Sequence, residues 1–512
     1  MAESFLFTIA ESLIEKLASH VFQEASRVVG LYDDLQELTK NLSLVKAVLL
    51  DAEQKQERNH ELREWLTHLK TVFSDAEDVL DEFECQTLRN KVVKVHGSTK
   101  DKVSHFFSTS NPLLFRCKMG QQIKDISKRL DKVAADRHKF SLQIIDVDTR
   151  VVHPRDMTHS RCLYVNSNIQ NIPDNVRHLS FAESSLFNNL VTKKSAALRT
   201  VLFPNGAAAA NCEALLNTCL PKFKCLRVLD LRGAKFETLP RNIVKLKHLR
   251  YLDIGENANI KRLPDSVCKL QSLQVLLLAK CIELEALPKG LRKLISLRCL
   301  EFSIKQTVLP MNEIANLGSL EMLNIESCHN VESIFGGVKF PILNTLCVED
   351  CQSLKSLLLD GQNFPQLETL MVANCGNLDL EVWKGHHEEE SSKLKLKLLL
   401  FFNLSQLVAL PKWLQKAANS LQCLTVSNCH NFEILPDWLT TLTHLETLHL
   451  SYCPNLVSLP DNIHHLTVLE SLIIVGCPYL CKNYEPHVGE FWPKISHIKN
   501  VVIKKPEEPE KN

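Results

Sequence analysis

Residues 445–460 read LETLHLSYCPNLVSLP, and the same spacing of Leu, Cys and Pro returns along two thirds of the chain. Six-residue cores of the form Leu-x-x-Leu-x-Leu begin at Leu226, Leu249, Leu273, Leu297, Leu320, Leu343, Leu367, Leu421, Leu445 and Leu469. Weaker copies begin at Val176, Leu198, near Leu396 and at Ile495, and successive starts are mostly 23 or 24 residues apart. A unit this short cannot bury its apolar face alone, so neighbours must stack, and the 20–29-residue period is that of a leucine-rich-repeat solenoid. Cys281, Cys328, Cys351, Cys375, Cys429, Cys453 and Cys477 each fall eight residues after a repeat's first leucine. There the chain turns inward off its strand, which predicts a buried column of structural thiols. Leu-Pro pairs at 239–240, 263–264, 287–288, 309–310, 410–411, 435–436 and 459–460 close many repeats, the proline stopping strand or helix.

In such a stack the x positions face outward on a concave sheet. The first x, read down the chain, gives Arg177, Arg199, Arg227, Arg250, Gln274 and Arg298, then Glu321, Asn344, Glu368, Gln422, Glu446 and Glu470. The face changes sign midway. Like charges on adjacent strands destabilise a sheet, so the arginines call for counter-charge from ions, from Asp230 and Asp253, or from another domain; alternatively their stems cover apolar surface with the heads in water.

Ahead of the repeats the period changes. Phe5, Ile9, Leu13, Leu17 and Val21 recur every four residues; Leu31 to Ala52 alternate steps of four and three; Leu62 to Phe83 form a third apolar face and Ile123 to Val133 a fourth, after a connection from about Asn90 to Lys118. Four amphipathic helices that each need a partner predict a bundle. On the third, Glu77, Asp78, Asp81 and Glu82 pair like charges four apart on the expected outer side, either a solvated acidic face or a docking surface for a basic partner.

Composition narrows the chemistry. Lys plus Arg is 60 against Asp plus Glu 59, so no global basic field points to nucleic acid. The 15 glycines in 512 residues include no two standing five apart, so the phosphate cradle G-x-x-x-x-G-K-[ST] cannot be written. The 18 cysteines contain no C-x-x-C pair, and the metal-like Gly385-His386-His387-Glu388-Glu389-Glu390 falls in an interval between repeats. No nucleophile, base and orienting group recur together outside the repeat pattern, so no catalytic, metal or cofactor residue is assigned. The start MAESFLFTIAESLIEK places acids where a secretory signal needs cations, and no apolar run nears a bilayer span, which predicts a cytoplasmic protein.

Together these features resemble plant coiled-coil nucleotide-binding leucine-rich-repeat disease-resistance proteins. Glu77-Asp78-Val79-Leu80-Asp81 looks like that family's acidic "EDVID" motif, and the repeats look like its LxxLxLxxCxxLxxLP units. The resemblance implies an Rx-type helical bundle over 1–140, a linker over 141–175, a repeat solenoid over 176–503 and a polar tail over 504–512. Arg155-Asp156-Met157-Thr158-His159-Ser160 looks like the segment before the family's nucleotide-binding domain, and Val176-Arg177-His178-Leu179-Ser180-Phe181 like the opening of its repeats; about fifteen residues separate them. The ADP/ATP switch is therefore expected to be missing. What the resemblance leaves is recognition of a pathogen effector, a guarded host protein or a full-length relative, with self-association through the bundle. It also implies that Glu77, Asp78, Asp81 and Glu82 dock on Arg177, Arg199, Arg227, Arg250 or Arg298. Insertion of the first helix into a membrane is a further family property, but a bundle core demands the same stripe. A generic repeat adaptor outside immunity, or an inactive fragment, are the alternative readings.

Overall fold

A computed structural model describes residues 5–56, 59–97, 112–143, 162–166, 176–181, 198–203, 217, 222–359, 361–381 and 394–505. The chain divides into two compact units, Met1–Leu163 and Tyr164–Asn512.

The first unit is helical: α1 (Phe5–Ala18), α2 (His20–Val29), α3 (Tyr32–Lys55), α4 (His60–His96) and α5 (Pro112–Asp136). The first apolar stripe is thus split between two helices. Ser19 leaves the helical region at φ −61°, ψ 137°, and α2 ends at Gly30, whose φ of 74° closes the turn into α3. A side chain at Gly30 would meet the Arg116 guanidinium at 2.7 Å. The helices α4 and α5 also run further into their connection than the apolar periodicity indicated, because Asn90 to His96 continue α4 as a largely polar extension. Leu13, Leu17, Leu38, Leu42, Val45, Leu69, Phe73, Leu80, Phe83, Ile123 and Leu130 belong to one core. Each such side chain contributes about 1.5–3 kcal/mol on burial. Polar ties fix the register: the Trp65 indole N–H donates to the Val133 carbonyl at 3.0 Å, Arg129 meets Asp75 at 2.7 Å, and Lys46 meets Glu11 at 2.8 Å.

The sheet has fifteen strands in chain order, from Cys162–Val165 through Asn500–Lys504. Its first strand lies inside the stretch expected to be linker. Neighbouring strands pair parallel and in register, with Leu323, Leu346 and Leu370 side by side and fully buried. Parallel neighbours need a crossover, and here it is a short 3-10 turn in many repeats, a helical turn at Met311–Ala315 and a short outer strand at Ser333–Ile334 and Ser356–Leu357. Pro240, Pro264, Pro411 and Pro436 stand in extended backbone immediately before such turns. These prolines therefore open the outer arc, their fixed φ and missing N–H suiting a first position. The last copy of the repeat begins at Ile498, three residues beyond the expected Ile495, since Asn500 pairs with Ser471; Ile495 and Ile498 are both buried, so apolarity alone could not set the register.

The cysteine column forms as expected, with Cys281, Cys328, Cys351, Cys375, Cys429, Cys453 and Cys477 all fully buried. The thiols of Cys281, Cys351, Cys375, Cys453 and Cys477 donate to strand carbonyls one repeat back, at 3.3 Å for Cys281 to Ile254 and 3.8 Å for Cys453 to Val426. Sulfur also accepts, from the Leu404 N–H at Cys429 (3.5 Å) and from the Cys453 N–H at Cys477 (3.4 Å). Burial pushes the Cys281 thiol up to about 12, which keeps it a protonated donor rather than a nucleophile. One residue earlier the backbone is left-handed at Gly233, Glu256, Lys280, Ser327, Asp350, Asn374, Asn403, Asn428, Tyr452 and Gly476. That turn swings each chain segment off its strand.

Candidate functional site

The candidate surface is the open face of the repeat sheet. Each strand turns leucines inward, while the residues between them form columns down the stack. The arginine column is continuous in the backbone. Arg199 N–H donates to the Arg177 carbonyl at 2.7 Å, Arg227 to Arg199 at 2.8 Å, Arg250 to Arg227 at 2.7 Å, Gln274 to Arg250 at 2.8 Å and Arg298 to Gln274 at 2.8 Å. Arg177, Arg227 and Arg250 are half-buried, Arg199 is buried and Arg298 is exposed. Where the sign changes, Arg298 meets Glu321 at 3.7 Å, and further down Lys397 meets Glu368 at 2.9 Å.

On α4 the acidic turn is less uniform than its sequence suggests. Glu77, Asp78 and Glu82 are half-buried, whereas Asp81 is buried. The Asp81 carboxylate takes the Lys16 ammonium at 2.7 Å, and the same ammonium reaches Glu84 at 2.6 Å. Asp81 therefore does not stand on a solvated outer face. Its position four residues after Glu77 rotates it toward α1, which supplies a cation that helix periodicity within α4 could not announce.

A second column, three residues further along each repeat, was read from sequence only at Asp230 and Asp253. It carries Asp230, Asp253, Glu301 and Asn324, and the position beyond it carries Arg232, Ser303, Glu326 and Glu349. Asp253 is satisfied: it accepts from the Gly255 N–H at 2.8 Å and the Tyr251 hydroxyl at 3.3 Å, and Arg232 lies 3.7 Å away. Burial pushes the carboxyls of Asp230, Glu301 and Glu326 above their ordinary range. Burial and the neighbouring Asp253 carboxylate raise the Tyr251 phenol to about 12. The signal was available, since Asp230, Asp253 and Glu301 occupy the third x of their repeats, but it shows only when that x is read down the stack.

Beyond the acids the open face turns apolar at Met371, Leu398, Leu400 and Phe402, all half-buried. The stretch Gly385–Glu390, read as metal-like, lies outside the described residues, as do Arg155–Ser160 and the 506–512 end of the tail. Among the described residues no group of three His, Cys, Asp or Glu side chains is placed to hold a metal ion. No helix among them is long and apolar enough to cross a membrane. The α1 stripe, a candidate for lipid, is taken up by the bundle core through Leu6, Phe7, Ala10, Leu13 and Leu17.

Residues 9–132 match the family described as Rx N-terminal domain, residues 207–428 a leucine-rich repeat region and residues 444–466 a leucine-rich repeat. The chain is 33% identical over 153 residues to the probable disease resistance protein RXW24L of Arabidopsis thaliana, covering 29% of this chain and 16% of that protein. It is 30% identical over 143 residues to the putative disease resistance protein RGA1 of Solanum bulbocastanum (28% and 13%) and 30% over 152 residues to RGA2 of the same species (30% and 14%). These matches thus span only 13–16% of the relatives' own length. Among solved structures, the plant peptide hormone receptor RGFR1 in complex with RGF2 aligns over 62% of this chain and 54% of its own, at 18% identity and a TM-score of 0.30. The leucine-rich repeat domain of the type III effector XopL aligns over 52% and 81%, at 20% identity and 0.32. The chain carries an Rx N-terminal domain followed by leucine-rich repeats and is a homologue of plant disease resistance proteins.

Proposed function

We propose that this homologue of plant disease resistance proteins acts in plant defence by recognising other proteins, without catalysing a reaction. The open face of its repeats would take the recognised partner, whether a pathogen effector, a guarded host protein or a full-length relative. The helical unit would associate through the acidic turn of α4, with a second copy or with the repeats. The observation that carries this reading is the uninterrupted column Arg177, Arg199, Arg227, Arg250, Gln274 and Arg298, tied strand to strand by backbone hydrogen bonds of 2.7–2.8 Å. A rigid row of cations one strand spacing apart is matched in charge by Glu77, Asp78 and Glu82, which one helical turn brings together.

Charge reversal tests it. Because Asp81 already holds Lys16, the informative variant is Glu77→Lys with Glu82→Lys, measured as binding of the separately expressed helical and repeat units. Binding should fall about tenfold or more, as expected when close charge pairs are reversed, and Arg227→Glu with Arg250→Glu should restore it. Unchanged binding in both variants would return the arginines to ordinary solvated surface.

We further read the chain as working in the cytoplasm without bound nucleotide. The support is sequence: the phosphate cradle cannot be written between Val176 and the chain's glycine-poor repeats, nor ahead of them. Calorimetric titration of the full chain with ADP should give no saturable heat, and a saturable signal would overturn this part.

A further inference from the structure

Three neighbouring strands at the middle of the sheet, Cys299–Phe302, Met322–Glu326 and Thr345–Glu349, gather carboxylates on their open face. Glu301 stands opposite Asn324, and Glu326 opposite Glu349. Residues opposite one another across a strand pair keep their Cβ atoms about 4.5–5.5 Å apart, and like charges there are destabilising. The Asn324 amide N–H donates to Glu301 at 3.0 Å. Its own Oδ1 is left buried with no donor. Glu326 keeps only 9% of its surface, yet its carboxylate makes no hydrogen bond or ion pair among the described residues. Lys280 acts on it through space and does not pair with it, while Glu301, Glu349 and Asp350 all oppose its charge. Asp350, by contrast, is met by the Ser327 hydroxyl at 3.0 Å and the Gln352 amide at 3.0 Å.

Carboxylates crowded on adjacent strands with little of their surface left to water are costly, and the chemistry that would relieve them is narrow. An apolar group would leave every acceptor unmatched, and an anion would be repelled. A cation with several donors in a plane fits, because two carboxylates one strand spacing apart can each take a separate N–H. Guanidinium offers five donors in a fixed fork, whereas ammonium is a point charge that is harder to strip of water.

We propose that Glu326 and Glu349, with Glu301 and Asn324 beside them, form the seat for an arginine side chain presented by a segment of the partner protein. This rests on the reading that the open face of the repeats recognises a protein, and adds that the segment lying across the centre of the sheet is basic. The acid pair anchors it; the arginine column on earlier strands excludes the same segment from sliding toward Arg227 and Arg250.

The probe is fluorescein-labelled octaarginine, titrated with the full chain at physiological ionic strength and followed by anisotropy. Glu326→Gln with Glu349→Gln should weaken binding about tenfold or more, as truncation of buried charge pairs does. Glu446→Gln with Glu470→Gln makes the same change in net charge on exposed residues of the same face, and should shift binding less than about twofold, in line with the small worth of surface charge. Octalysine should bind several-fold more weakly than octaarginine. The proposal is overturned if both double variants weaken octaarginine equally, if the Glu326/Glu349 variant binds as the parent does, or if octalysine matches octaarginine. Should that variant lose its melting transition, Glu349→Gln alone is compared with Glu446→Gln by the same criteria. Association of the helical and repeat units is scored in a separate assay, so a failure here removes the arginine seat and leaves the recognition reading to its own test.

Discussion

The helical unit pairs its charges between helices, whereas the repeat sheet pairs some, as Arg298 with Glu321, and also sets like charges side by side. In the bundle, acids find cations on neighbouring helices: Asp75 meets Arg129 at 2.7 Å, Asp81 meets Lys16 at 2.7 Å and Glu11 meets Lys46 at 2.8 Å. On the sheet, arginines follow arginines from Arg177 to Arg250, and Glu326 faces Glu349 directly. The difference lies in what holds each fold together. Bundle helices are fixed by side chains alone, so a mismatched charge at the contact is felt by the packing. Repeat strands are fixed by backbone ladders and by leucines such as Leu323, Leu346 and Leu370 on the inner face, so the outer face is free to carry like charges in rows. A scaffold that tolerates unfavourable surface chemistry can spend it on binding.

Removing one member of a charge cluster should therefore cost the bundle more than the sheet. Lys16→Met takes the shared ammonium from Asp81, whose side chain is 7% exposed, and from Glu84. The expected loss is about 3 kcal/mol of helical-unit stability, at the lower end of what breaking a buried pair costs, read from chemical denaturation followed by far-ultraviolet circular dichroism. A loss under about 0.5 kcal/mol, the scale of an exposed pair, would erase the contrast. The sheet should instead be sensitive at its turns. Gly476 has φ 64°, and a side chain there would meet the Tyr452 ring at 2.6 Å. Gly476→Ala should cost about 1–2 kcal/mol, the penalty of a left-handed residue, visible as an earlier melting transition; Glu256→Gly at the equivalent turn, with φ 56°, should move the transition the other way.

Much of this was legible in the sequence because both units repeat a period that physics imposes. Leucine spacing marked the strands, and the eighth residue after each first leucine marked the inward turn and the buried thiol. What escaped depended on contacts between segments far apart in the chain. The break at Ser19 interrupts no apolar period, so α1 and α2 read as one helix. Asp81 reads as one more acid on an outer face until α1 brings Lys16 beside it, 65 residues away. The third x of each repeat looks unremarkable along the chain, with Asp253, Leu277, Glu301 and Asn324 in turn, and gains meaning only once strand register sets Glu301 beside Asn324 and, two residues on, Glu326 against Glu349. The arginine column was found because its first x immediately follows the marker leucine. The acid pair was missed because it lies at the strand ends, where no leucine marks the register.

The smallest effect is also the one that separates the two charge regimes most directly. Burial and the neighbouring acids raise the Glu326 carboxyl above its ordinary 4.5. A carboxyl whose folded value is raised binds its proton more tightly in the native state than in the unfolded one, so stability falls as pH rises through that window. At pH 7.5 the native chain therefore carries the unrelieved charge, and acidification relieves it before the unfolded chain takes up the same proton. Glu326→Gln removes the charge at every pH. It should stabilise the repeat unit by about 0.5–1 kcal/mol at pH 7.5, the scale of a cross-strand like-charge pair, and the gain should shrink as pH falls toward 4.5. Thermal melts of parent and variant at pH 7.5 and pH 5 measure the difference. A destabilised variant, or a gain that does not depend on pH, would mean that Glu326 is satisfied inside the fold, and the sheet would then pair its charges just as the bundle does.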